Sequence, residues 1–120
     1  FVLGCGRVFE GTMAQMWDSL QKLNKLPDGT QIYCAHEYSA ANAAFAVTID
    51  PNNQALHKRV AEITALRASD KPTVPTEIAL ERATNPFLRA TDEVVQAHLN
   101  MAGAEPADVF AEIRQRKDNF

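Results

Sequence analysis

The sequence predicts a mainly helical fold with one or two short β-strands. Two observations carry this. Apolar residues recur at helical spacing in successive stretches, most of them opened by a capping residue or a proline and followed by glycine, proline or asparagine. Only the run Ile32-Tyr33-Cys34-Ala35, entered from the turn signal Pro27-Asp28-Gly29, has the length and character of a buried strand. A chain of 120 residues with 46% hydrophobic and 22% charged residues can build one modest core. The net charge of −3, with Lys and Arg scattered up to the last turn, excludes a nucleic-acid footprint. No apolar run approaches the ~20 residues of a membrane span, so no membrane partner is expected. The two cysteines, Cys5 and Cys34, are far apart in sequence and are expected to be reduced and buried, which suits the cytoplasm.

Taken in order, Phe1-Val2-Leu3 is an apolar run entered without a turn, and it predicts a strand whose beginning lies upstream; the chain also lacks an initiator Met, as a fragment would. Gly4, Gly6 and Gly11 punctuate the segment up to Thr12, with Arg7 between them as a solvated loop charge or a ligand contact. Thr12 and Gln15 form a capping box for a helix to about Lys25, with Met13, Met16, Trp17, Leu20 and Leu23 as its buried stripe. After the strand, Ser39 to Thr48 predicts a helix with Ala41, Ala44, Phe45 and Thr48 on one face, so His36, Glu37 and Tyr38 fall at a strand-to-helix corner. By spacing alone, lone His36 reads as a hydrogen-bonded core side chain in preference to a ligand, since it lacks the cluster that argues for a metal site.

Pro51 opens a predicted helix to Ala68, with Leu56, Val60 and Ile63 inward and His57, Lys58, Arg59 and Glu62 outward. Pro72 and Pro75 make residues 69–76 an extended connector. Glu77 to Arg82 is a short extended or helical piece, after which Phe87 and Leu88 pin the chain to the core and Arg89 pairs with an unidentified carboxylate. Thr91 caps a helix to Met101, with Val94, Val95 and Leu99 inward, His98 on the surface and Gly103 as its stop. The last helix opens at Glu105-Pro106 and buries Val109, Phe110 and Ile113. Arg114, Arg116 and Lys117 crowd its final turn, where cations complement the helix dipole.

Gly4-Cys5-Gly6-Arg7, Phe9-Glu10-Gly11-Thr12, Tyr33 to Tyr38, Asn85-Pro86-Phe87-Leu88-Arg89 and Arg114 to Phe120 succeed one another along the whole chain. Together they resemble the C-terminal half of the hydroxyacylglutathione hydrolases, the glyoxalase II family. The resemblance implies that residues 1–37 are the end of a metallo-β-lactamase αββα domain, strand-helix-strand, and that residues 38–120 form an all-helical glutathione-binding domain. It implies hydrolysis of the thioester S-D-lactoylglutathione to glutathione and D-lactate, a step of methylglyoxal detoxification, at two divalent metal ions: zinc, or iron or manganese.

Carried over by position, His36 is a ligand of one ion, and Arg7, Phe9, Tyr38, Arg114 and Lys117 bind glutathione. Phe9 stands where some members carry tyrosine, which leaves it apolar packing or a backbone amide. No residue of the chain is implied as a catalytic acid or base. The implied partner is an N-terminal half that holds the other metal ligands, so the chain alone is expected to bind no stoichiometric metal and to be inactive. Two other classes compete. A sister hydrolase or dioxygenase of the same fold is disfavoured by the basic ending, and a non-catalytic helical interaction module would leave His36 an orphan.

Overall fold

The computed structural model describes all residues, Phe1–Phe120, as six α-helices, a 3₁₀ turn and a two-stranded sheet. Helix α1, Met13–Asn24, starts as its sequence dictates. Thr12 Oγ1 accepts from the Gln15 amide at 3.1 Å, and Gln15 Oε1 accepts from the Thr12 amide at 2.8 Å. A cap of this kind stabilises by about 1 kcal/mol. Its stripe is buried at Leu20 and half-buried at Met13, Met16 and Trp17, but Leu23 in the last turn is 43% exposed.

The expected strand is shorter than its apolar run. Strand β1, Gln31–Ile32, pairs antiparallel with β2, Thr76–Glu77, and Tyr33 beyond it is 71% exposed. Pro75 has no amide to donate before β2, and Ile78 already begins a helix after it, so the ladder has nowhere to extend. The start of the chain is not a strand either. The Gly4 amide donates back to the Phe1 carbonyl, and Leu3 takes φ +56°, so Phe1–Gly4 is a tight turn that buries Val2 and Leu3.

Helix α2, Ser39–Ile49, buries Ala43, Phe45, Ala46 and Ile49 and leaves Ala41, Ala44 and Thr48 exposed, a face rotated from the one expected; in so alanine-rich a helix, the large residues choose the face. Helix α3, Gln54–Ala68, starts at Asn53 and not at Pro51, because Asn53 Oδ1 caps the Leu56 amide while its Nδ2 reaches Asp50 and the Ala83 carbonyl. Arg59, expected outside, is buried against α4, Ile78–Thr84, its Nη1 3.5 Å from Glu62. After the 3₁₀ turn Pro86–Leu88 come α5, Glu93–His98, and α6, Pro106–Asp118. Asp92, not Thr91, caps α5 by accepting from the Val94 and Val95 amides, and this rotation leaves Val94 exposed. Arg89 finds two carboxylates, Asp50 at 3.1 Å and Asp92 at 3.0 Å.

One core of 12 buried residues joins α1, α2, α5 and α6 through Leu20, Phe45, Phe87, Val95, Phe110 and Ile113. A second, of 6 residues, seats Val2 and Leu3 between α2 and α3. Both cysteines are free and half-buried, not fully buried as expected. No helix is long and apolar enough to cross a membrane.

Candidate functional site

The first segment, Phe1–Thr12, has almost no regular structure of its own, so its path is set by side chains from elsewhere. Fully buried Glu81 accepts from the Leu3 amide at 2.9 Å, and Asn85 Nδ2 donates to the carbonyls of Phe1 and Gly4 at 3.0 and 2.9 Å. Asn42 Nδ2 donates to the Val2 carbonyl at 3.0 Å and lies so close to Gly4 that a Cβ there would meet it at 2.5 Å. Any side chain at position 4 would displace the Asn42 amide and with it the bond to Val2. Thus held, residues 5–9 run along the first turn of α2 and the last turn of α6.

The three meet around a cleft of about 590 Å³ lined by Cys5, Gly6, Arg7, Phe9, His36, Tyr38, Asn42, Arg114 and Lys117 among others. Every residue carried over from the family resemblance lies on it, although they come from three parts of the chain. His36 and Tyr38 stand on the β1–α2 corner with their rings stacked at 5.3 Å and 15°. Between them, Glu37 is tied to the connector: the Thr73 amide and hydroxyl both donate to its carboxylate at 2.9 Å. Desolvation acts to raise the Glu37 pKa, but these hydrogen bonds and those from Ser39 outweigh it and hold the carboxyl below its ordinary value. The corner is therefore fixed from behind, through the residue between the two that face the cleft.

His36 is exposed, so it is not a core histidine. His57 and His98 direct Nε2 to the carbonyls of Pro51 and Thr48, whereas His36 makes no such bond. An imidazole in this state fits one coordination position of a metal. The chain gathers no group of three or more His, Cys, Asp or Glu side chains that could hold an ion.

The cationic side of the cleft is graded by burial. Arg7 is exposed and is 3.7 Å from Asp118. Arg114 is only 4% exposed: Nε and Nη2 donate to Asp118 Oδ1 at 3.1 and 2.8 Å, and Nη1 donates to the carbonyls of Cys5 at 2.8 Å and Gly6 at 3.5 Å. Its guanidinium also lies 5.0 Å from the Phe87 ring centroid. Of the five N–H groups of an arginine, at most one is left for a ligand. Lys117 Nζ sits over the rings of Phe45 and Phe120 at 5.9 and 6.0 Å, an arrangement that keeps its ammonium donors available. Arg116, one residue earlier, turns away to Glu112 and takes no part. Burial pushes the Cys5 thiol up, and the hydrogen bond from Arg114 only partly offsets this, so Cys5 is a neutral wall of the cleft. Phe9, 86% exposed, stands at the mouth.

Sequence reasoning missed Asp118 and Asn42. The signal for Asp118 was the i,i+4 spacing from Arg114; nothing local marks Asn42, whose partners are about forty residues away.

Residues 37–120 match the family model described as hydroxyacylglutathione hydrolase C-terminus. Similar curated proteins, each named hydroxyacylglutathione hydrolase, include those of Roseobacter denitrificans, 64% identical over 118 residues, Rhizobium etli, 59% over 120, and Ruegeria pomeroyi, 58% over 118. The matches cover 98%, 100% and 98% of this chain but 46%, 47% and 46% of the relatives. The chain thus spans about half the length of the curated relatives it matches.

Proposed function

The chain belongs to the hydroxyacylglutathione hydrolase family, and from that premise we propose that it forms the glutathione-binding side of a thioester hydrolase acting on S-D-lactoylglutathione. The observation that carries this reading is the convergence of Arg7, Tyr38, Arg114 and Lys117 on one cleft with His36. A tripeptide with carboxylates at both ends calls for guanidinium and ammonium donors, and arginine suits a carboxylate by its planar fork. Arg7 and Lys117 supply the free donors, Tyr38 a phenol, Phe9 an apolar flank and Arg114 its one remaining N–H.

In this reading residues 1–37 close off a metal-binding domain whose other ligands lie in a preceding half of the whole protein, and residues 38–120 close over the substrate. His36 contributes one ligand to a pair of divalent ions, zinc or else iron or manganese. When bound, such ions supply a nucleophile at neutral pH and polarise the acyl carbonyl. This chain's residues bind and orient: the fixed corner from His36 to Tyr38 presents imidazole and phenol, and the cations hold the peptide tail. The products are glutathione and D-lactate, and the setting is the cytoplasm.

The test uses the full-length protein. His36→Ala should lower the metal content found by elemental analysis and cut thioester hydrolysis on the order of 100-fold or more, since even residues that merely support a ligand are worth 10- to 100-fold. Unchanged metal content together with an unchanged rate would remove His36 from the site.

A further inference from the structure

Asp118 is the one carboxylate among the cations of the cleft, and its place is unfavourable twice over. It ends α6, where the helix dipole is negative, and it borders a cleft read here as a site for an anionic ligand. A single oxygen, Oδ1, nevertheless accepts both Arg114 Nε and Nη2 and lies 3.7 Å from Arg7 Nε. Through Arg114 the same carboxylate is linked to the backbone of Cys5 and Gly6, the residues that deliver Arg7.

We propose that Asp118 is a positioning residue for substrate: it fixes the arginine that holds the loop and draws the arginine on that loop to the cleft. Arg7 is carried by irregular chain and its side chain is 61% exposed even beside Asp118, so without that carboxylate no charged partner orients its guanidinium. With Asp118 present, part of the ordering that binding requires has been made in advance. The proposal rests on the reading of the cleft as the glutathione site.

Plain electrostatics predicts the opposite sign, which makes the proposal testable. Removing a negative charge beside an anionic ligand should tighten binding; removing a positioning group should loosen it. In the full-length, metal-loaded protein, Asp118→Asn is expected to raise KM for S-D-lactoylglutathione roughly three- to tenfold, the range for losing the pre-ordering of a rotamer-rich side chain. The kcat should stay within about twofold, as for a contact that acts equally on ground and transition states.

The second readout is selectivity, the ratio of KM for the glycine ethyl ester of the substrate to KM for the free acid. Asp118→Asn should bring the ratio toward one, and Asp118→Glu, which keeps the charge, should restore part of it. A lowered or unchanged KM in Asp118→Asn overturns the proposal. Arg7→Gln and Lys117→Gln separate its failure from that of its premise: if they lower the ratio while Asp118→Asn does not, only the positioning role falls. If neither they nor Asp118→Asn change it, the glutathione reading of the cleft falls as well. Should Asp118→Asn unfold, Asp118→Glu alone decides: its only partial restoration predicts a raised KM with kcat retained, and a KM and kcat left as they were overturn the proposal.

Discussion

The buried network at Glu81 and Asn85 and the cleft at Arg7, Arg114 and Lys117 use the same kinds of groups to opposite ends. In the first, every donor that reaches the Glu81 carboxylate is internal: the Leu3 amide at 2.9 Å, the Thr76 hydroxyl at 2.9 Å and Asn85 Nδ2 at 3.1 Å. In the second, Lys117 rests on aromatic faces and Arg7 leans on a carboxylate 3.7 Å away, so donors are left over. Satisfaction, not polarity, separates the groups that hold the chain together from those that can hold something else. A buried polar group with its partners complete rigidifies a fold, whereas one left open at a surface is capacity for a ligand.

The largest effect should come from the closed network. Glu81→Ala leaves the Leu3 amide and the Thr76 hydroxyl without their acceptor, whereas Asn85 Nδ2 keeps the Phe1 and Gly4 carbonyls, and each orphaned buried donor costs about 1–3 kcal/mol. A loss of about 3 kcal/mol or more is expected in urea unfolding of the full-length protein. A loss below about 1 kcal/mol would break the comparison.

The pH dependence sharpens it. Burial pushes the Glu81 carboxyl above its ordinary value, and the bonds from Leu3, Thr76 and Asn85 only partly offset this. A folded-state pKa above the unfolded one means that the native state binds the proton more tightly. Stability therefore falls as pH rises from the ordinary glutamate range through the raised value, and the penalty is complete above it. Glu81→Gln, which cannot titrate, should flatten that slope, whereas Glu37, held below its ordinary value, contributes the reverse slope at lower pH.

Arg114 straddles the two regions and should show an intermediate effect. Arg114→Gln removes a buried side chain that joins Asp118 to the Cys5 and Gly6 carbonyls, so a stability loss of about 2 kcal/mol is expected. The KM should rise as well, because the loop carrying Arg7 is released. A raised KM without loss of stability would place Arg114 wholly with the ligand; the converse would place it wholly with the fold.

How much of this the sequence carried depends on the range of the interactions. Helix starts made by local chemistry were legible where the cap stands beside an apolar run, as at Thr12 and Gln15. They were misplaced by two or three residues at Asn53 and by one at Asp92, where competing cap residues are adjacent. The membership of the cleft was legible only through the resemblance, because Arg7, His36 and Lys117 have no common spacing. What stayed hidden was long-range: that Phe1–Leu3 turns instead of pairing, that Glu81 sits at the centre of the fold, and that Arg59 is buried with Nε and Nη2 unpartnered. An outward period over Lys58, Arg59 and Glu62 predicts a solvated face. Only packing of α3 on α4 reveals which of the three is covered.

The smallest effect on the fold should come from Lys117, and there the open region is most sharply tested. If Lys117 serves only the dipole of α6, Lys117→Gln costs well under about 1 kcal/mol and leaves KM alone. Its ammonium lies over Phe45 and Phe120, so a further few tenths of a kcal/mol come from cation–π attraction at this partly exposed site. Neither contribution touches substrate. If it also meets a glutathione carboxylate, the same change raises KM and spares kcat, because a contact remote from the thioester carbonyl favours bound substrate and transition state alike. Salt discriminates further. Screening weakens an exposed ion pair with ligand, so the KM of the unmodified protein should climb with ionic strength more steeply than that of Lys117→Gln. Parallel salt dependences and equal KM values would return Lys117 to the helix end and leave Arg7, with the donors its pair with Asp118 does not use, as the main cation of the cleft.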